Sequence, residues 1–198
     1  MSVATSKKNE TVSRKVILCG TTDIMFDRYA GDNQTKLEPW QKLYLAPGDL
    51  KIIGLPAANI MSALSAQNTT SWPKRFLPSK EYKSFCNACL SFVSISPSFI
   101  PFMRDGRKIL FDKLEGDVDK VSGVYIHRSV ARLDKGIPNP KERPTLPLDW
   151  SLEFTLTMYA NQEVQEQQIL NIFEKGGTAM GLGTYRGVFG KFEISEWK

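Results

Sequence analysis

The sequence predicts an α+β fold: an antiparallel sheet backed by two helices, in the order strand, helix, strand, strand, helix, strand. Three observations carry this expectation. Trp150, Leu152, Phe154, Leu156 and Met158 alternate with Ser151, Glu153, Thr155 and Thr157, the period of a half-buried strand. Apolar residues at helical spacing mark two segments, Ile60–Met61–Leu64 and Ile169–Ile172–Phe173. Between the second of these and a final alternating segment lie six glycines, at 176, 177, 181, 183, 187 and 190, with Tyr185, Arg186 and Lys191 among them.

Residues 1–14 are polar and read as a flexible tail without the apolar centre of a signal peptide, so the cytoplasm is the default compartment. Lys15 to Phe26, rich in β-branched and aromatic residues, predicts the first strand, with Gly20 as a bulge. Residues 27–50, holding Pro39 and Pro47, read as loop. Pro56 precedes a first helix at about 57–67, where a missing N–H does no harm. Residues 71–118 read as an insertion with its own small cluster. Glu81 to Val93 is a candidate helix there, whereas Pro97 and Pro101 speak against a central strand at 94–102. Asp105-Gly106 signals a turn, and Lys108 to Phe111 a short strand. Val121 to Leu133 alternates and supplies the second strand of the unit. The four prolines of 134–149 read as a long projecting loop carrying Lys135, Lys141 and Arg143. Strand 150–158 follows, then a helix capped by Asn161 and ending at Lys175-Gly176, the glycine loop, and a last strand at 191–196. With the insertion set aside, this order is the ferredoxin-like (RRM-like) βαββαβ unit, one domain over 15–198.

The chain has 198 residues, 41% hydrophobic and 24% charged, with a formal net charge of +5. That composition suits a folded core, and the basic excess favours an anionic partner such as nucleic acid. No apolar run is long enough to span a bilayer, and no basic amphipathic helix marks a membrane partner. Of three cysteines, Cys86 and Cys89 have half the spacing of a zinc site, but no second pair accompanies them and the one histidine is His127. Free thiols are expected, with neither metal nor cofactor.

GLGTYRGVFGKFEI, with Gly181, Gly183, Arg186, Gly187 and Gly190 leading into the strand at Lys191, resembles the C-terminal glycine-rich loop of the RAMP superfamily of CRISPR-associated RNA-binding proteins. GDLKIIGLPAANIMSALSAQ resembles the entry to the first helix in the backbone subunits of CRISPR effector complexes. The C-terminal part also looks like small uncharacterised phage and prophage proteins. The resemblance covers about residues 48–68 and 121–197. The family it points to contains filament-forming guide-RNA binders, in which a hairpin of one subunit reaches its neighbour, and processing nucleases, and the resemblance implies one or the other. The 134–149 loop is the candidate for that reach, a head-to-tail contact that generates open assemblies.

Binding a single strand calls for dispersed cations and aromatic surfaces. Candidates are Lys74 and Arg75 beside Trp72 and Phe76; Arg104 and Lys108 around the 105–106 turn; Arg128 and Arg132 on a strand; and Gly181, Gly183, Tyr185, Arg186 and Lys191 of the glycine loop. Glycine admits positive φ and close approach of a bulky ligand. The expected function is therefore non-catalytic binding of RNA or single-stranded DNA by a homo-oligomer. Two other readings are open. One is a RAMP-type endoribonuclease using His127, for which a second acid–base group is not located. The other is a phage-encoded protein that mimics or joins a CRISPR effector complex. Asp112, Glu115, Asp117 and Asp119 read as a solvated acidic turn.

Overall fold

The alternation at 150–158 becomes a central strand in the computed structural model, which describes residues 10–68, 71–132, 136 and 138–198. In chain order the elements are β1 (Val12–Gly20), β2 (Ile24–Met25), a 3₁₀ turn (Pro39–Lys42), β3 (Leu45–Ala46), β4 (Asp49–Pro56), α1 (Ala57–Ser65), α2 (Trp72–Phe76), α3 (Tyr82–Phe92), β5 (Val93–Ser96), β6 (Phe99–Arg104), β7 (Arg107–Lys108), β8 (Tyr125–Arg132), β9 (Pro138–Leu146), β10 (Ser151–Met158), α4 (Glu166–Ala179) and β11 (Phe192–Trp197). The large sheet runs β11-β1-β10-β6-β4-β3, with β5 also on β10 and β7 on β6; a second sheet runs β2-β9-β8. All pairings between named strands are antiparallel.

Burial follows the period-two pattern. Leu152, Phe154, Leu156 and Met158 of β10 and Val16 and Leu18 of β1 are buried beneath the helices. Each such side chain is worth roughly 1.5–3 kcal/mol relative to exposure. The opposite face carries Lys15, Ile17, Cys19, Glu153, Thr155 and Thr157. Lys15 pairs with Glu153 across it at 3.1 Å. α4 contributes Ile169, Ile172 and Phe173 to the core, and α1 contributes Ile60, Ala63 and Leu64.

Several sequence expectations are corrected here. Among the described residues four α-helices, not two, accompany the sheet. The expected tail at 1–14 ends earlier, because Val12 already pairs with Met158; residues 1–9 lie outside the described residues. The segment 71–118 is no insertion: it supplies α2, α3 and the strands β5 and β6 that pair with β10. Its prolines fit because pairing to β10 is interrupted there, although Pro101 still stands beside Gly54 of β4. β5 covers Thr155–Met158 and β6 covers Ser151–Leu152, and Pro101 falls opposite the Glu153–Phe154 gap, where no N–H is required. The Val121–Leu133 segment does not enter the large sheet; β8 pairs with β9 instead.

The expected 134–149 loop is largely strand β9. Asp134, Lys135 and Ile137 lie outside the described residues. Phe26 N–H donates to the Pro144 carbonyl, which places the even-numbered residues of β9 toward the outer edge of the hairpin. Pro138, Pro140 and Pro144 share that parity, so their missing donors face away from β8 and the ladder is intact. At the far end, Asn161 does not cap α4. Its Oδ1 accepts from Glu163 and Val164 N–H groups in a preceding turn, and Gln165 caps the helix. α4 also runs past Gly176-Gly177 to Ala179. An added Cβ would stand 2.4 Å from the Trp72 ring at Gly176 and 2.5 Å from the Phe192 carbonyl at Gly177. These two glycines serve close packing rather than helix termination.

Candidate nucleic-acid interface

The segment after α4 folds into a tight knot because its glycines meet one another and β2. Gly181, Gly183, Gly187 and Gly190 all have positive φ, as does Tyr185 at 52°. A Cβ at Gly190 would lie 2.0 Å from the Leu182 carbonyl, at Gly181 2.5 Å from Gly190, and at Gly183 2.4 Å from the Met25 carbonyl. Leu182 N–H donates to Gly190, Thr184 N–H to Met25 and Gly187 N–H to Met180. The open approach expected at Gly181 and Gly183 is thus occupied by protein backbone. Gly187, with nothing near its Cβ direction, stands at the loop's open side.

The knot lies against α1. Asn59 and Ser62 of α1, Phe26 and Asp27 after β2, Tyr44, and Leu182, Gly183, Thr184 and Arg186 of the loop line one cleft of about 220 Å³. Arg186 is half-buried, and its Nε donates to the Gly183 carbonyl at 3.2 Å. Burial lowers its pKa from the ordinary arginine value, the mark of a cation stripped of part of its water. The acid of the cleft, Asp27, is engaged by Arg143 of β9 at 2.7 Å. The cleft therefore sets a partly desolvated guanidinium beside a neutralised carboxylate, among an amide, two hydroxyls and a phenol. That arrangement favours an anion with hydrogen-bonding oxygens. Asp23 ties the neighbourhood together: it accepts from the Tyr125 hydroxyl and from Leu148 N–H, and its carbonyl accepts from Gly190 N–H. Burial, then Asp23, pushes the Tyr125 phenol up to about 12.

Beside the cleft stands a row of rings. Tyr185 is 53% exposed, and its ring lies 5.8 Å from that of Phe189. Phe189 in turn meets His127 of β8 edge-to-face at 5.2 Å.

The other expected site residues distribute differently. Arg104 is a structural clamp: its guanidinium donates to the carbonyls of Asp149, Ser122 and Pro147. Arg128 is held by Asp117 and by Glu142, the latter at 3.0 Å, which offsets its charge. Arg132 ends β8, and its side chain lies outside the described residues. Lys74 and Arg75 are exposed on α2, with Lys74 6.0 Å from the Tyr82 ring centre. Trp72, their expected stacking neighbour, is fully buried, with Nε1 donating to the Gly181 carbonyl, so it cannot meet a base. Lys108 is exposed on β7 beside Arg107. None of these lines the cleft. Lys191 is half-buried and its backbone bonds to Thr21 and Thr22, fixing where β11 begins. Sequence reasoning missed Asn59, Ser62, Tyr44 and Thr184. Asn59 and Ser62 carried a signal, being polar residues three apart and therefore on one face of the first helix. Tyr44, in a segment without periodicity, carried none.

Cys86 and Cys89 are buried free thiols on α3, and burial pushes Cys89 up to about 12. Among the described residues no group of three or more His, Cys, Asp or Glu side chains converges as a metal site, and no helix is long and apolar enough to cross a membrane.

No protein-family model and no curated protein matches the chain. Among solved structures it is similar to a chain in a cryo-EM structure of type III-B Cmr-beta bound to cognate target RNA, at 12% identity and a TM-score of 0.54. The match covers 96% of this chain and 60% of that one, so this chain spans about 60% of that neighbour's length. The likeness is one of fold.

Proposed function

We propose that this chain binds single-stranded nucleic acid, RNA in preference, as a non-catalytic RAMP-like protein that assembles head-to-tail. The observation that carries the reading is the convergence of the glycine loop and the first helix on one cleft holding Arg186. These are the two segments whose sequence resembles RAMP proteins, and they are far apart in the chain. A fold neighbour from a Cmr-beta structure bound to cognate target RNA is consistent with it. The strand order β11-β1-β10-β6, last, first, third and second of a βαββαβ unit, supports a ferredoxin-like core. The middle of its open face carries Lys15, Glu153, Thr155 and Thr157 rather than the stacked aromatics through which RRM sheets hold RNA. We therefore place the strand at the loop cleft and not on the sheet.

The test is anisotropy titration of labelled single-stranded RNA and DNA against salt. Arg186→Ala should weaken binding for every sequence and reduce the slope of log K against log salt by about 0.7, one phosphate contact on a single strand. Unchanged affinity and slope in a folded variant would remove the cleft from the phosphate path.

A further inference from the structure

The row of rings next to the cleft is not needed to hold phosphate, and its geometry suits something flat. Tyr185 leaves over half of its surface to solvent while its backbone sits at φ 52°, a conformation that costs a bulky residue free energy. The chain fixes it there: Gly187 N–H donates to Met180 at 2.6 Å, Phe189 N–H donates to the Tyr185 carbonyl, and Arg186 bridges Phe189. Single exposed aromatics are common on surfaces. A strained one, backed by a second ring and then by His127, is a built feature.

Position supplies the occupant. Thr184 and Arg186, the immediate neighbours of Tyr185, both line the cleft. His127 stands opposite Arg143 across the β8–β9 ladder, and Arg143 is the partner of Asp27 in the cleft wall. Rings and cation thus share one rim, the pairing by which single strands are held: phosphates to cations, bases to aromatic faces. We propose that Tyr185, supported by Phe189 and His127, is a stacking ledge for the nucleobases of a strand whose phosphates lie in the Arg186 cleft, so that the protein distinguishes a base-bearing strand from its bare backbone. The inference rests on the cleft reading above and adds base contact to it. Stacking is tolerant of sequence, because every base presents a π-face.

The experiment compares a dT12 oligonucleotide with a 12-unit abasic strand of the same charge, using the full chain, with U12 alongside. The native protein should bind dT12 about tenfold tighter than the abasic strand, the scale of one stacked base. Tyr185→Phe keeps the ring and should keep that ratio. Tyr185→Asn, which tolerates the positive φ, should bring the ratio close to one while leaving abasic-strand binding and its salt slope as they were. Equal binding of both strands by the native protein, still weakened by Arg186→Ala, would overturn the ledge and leave the phosphate reading standing. Binding of none of the three oligonucleotides would overturn both. A fall in the molar mass of the free protein by light scattering in Tyr185→Asn, with the ratio unchanged, would make the rings a protein contact instead.

Discussion

Two arginines in turn-rich segments show how little a side chain's identity says about its task. Arg104 spends its guanidinium on three backbone carbonyls that join the β6–β7 hairpin to the chain around Ser122 and to the β9–β10 turn. Arg186 donates to a carbonyl of its own loop, that of Gly183, and sits half-buried in the wall of a cleft. Arg104→Ala should therefore lower unfolding stability by roughly 2 kcal/mol, since hydrogen bonds to a charged group are lost and the carbonyls lose their donor. Nucleic-acid affinity per folded molecule should not move. Urea melts and anisotropy on the same samples separate the two effects, and a binding defect without a stability defect would contradict the assignment. The loop glycines divide in the same way. Gly190→Ala drives a Cβ into the Leu182 carbonyl and should cost several times more than Gly187→Ala, which meets open space and bears only the positive-φ cost of about 1–2 kcal/mol. Calorimetric midpoints for the pair decide it. Neither difference is visible in the sequence, where the two glycines belong to one run.

At the level of elements, the strand β10 and the helices α1 and α3 were legible because nothing interrupts their periods. β5, β6 and β9 were hidden by prolines, whose penalty depends on which edge the absent N–H faces. That fact is set by pairing partners distant in the chain, as Pro144 and Phe26 show. Of the candidate site, Arg186 and its loop were legible from residue type and spacing. The role of Arg143 was not, since it needs β9 to exist and to lie against Asp27. α4 offers a pH test. Glu166 in its first turn accepts two bonds from Arg14 of β1, at 2.6 and 3.0 Å, and one from Trp197 Nε1 of β11 at 2.8 Å. The Arg14 bond, reinforced by Trp197, holds its carboxyl below the usual range. A lowered folded-state pKa means that this stabilisation is present above the unfolded carboxylate value, about 4.3, and is lost as pH falls through the lower folded one. Glu166→Gln should thus be less stable than the native chain at pH 7, with the gap closing below about pH 4. A gap independent of pH would show that packing, not charge, is what the glutamate contributes.

For the whole molecule, the two sheets divide the labour: the large one carries most of the core, and the small one braces the cleft from behind, its Arg143 holding Asp27. Removing residues 135–147 to test assembly would take β9 with it, including buried Thr145 and Leu146 and the Phe26 bond. Excising only the hairpin tip, by joining Val130 to Pro140 through a two-residue turn, spares those contacts. The shortened chain should keep its melting temperature within a few degrees and, on the head-to-tail proposal, run as a monomer in light scattering. Unaltered large particles would remove the hairpin tip as the joint. The large sheet also imposes an order of events on the chain. β1, made before both of its partners, lies between β10 and β11, so that Ser13 finds Thr157 at a separation of 144 residues and Cys19 finds Ser195 at 176. Such distant closures are slow. On the ribosome the Val16 and Leu18 side chains would wait, uncovered, until nearly all of these residues had emerged, a window in which a nascent chain is open to holding chaperones and to aggregation.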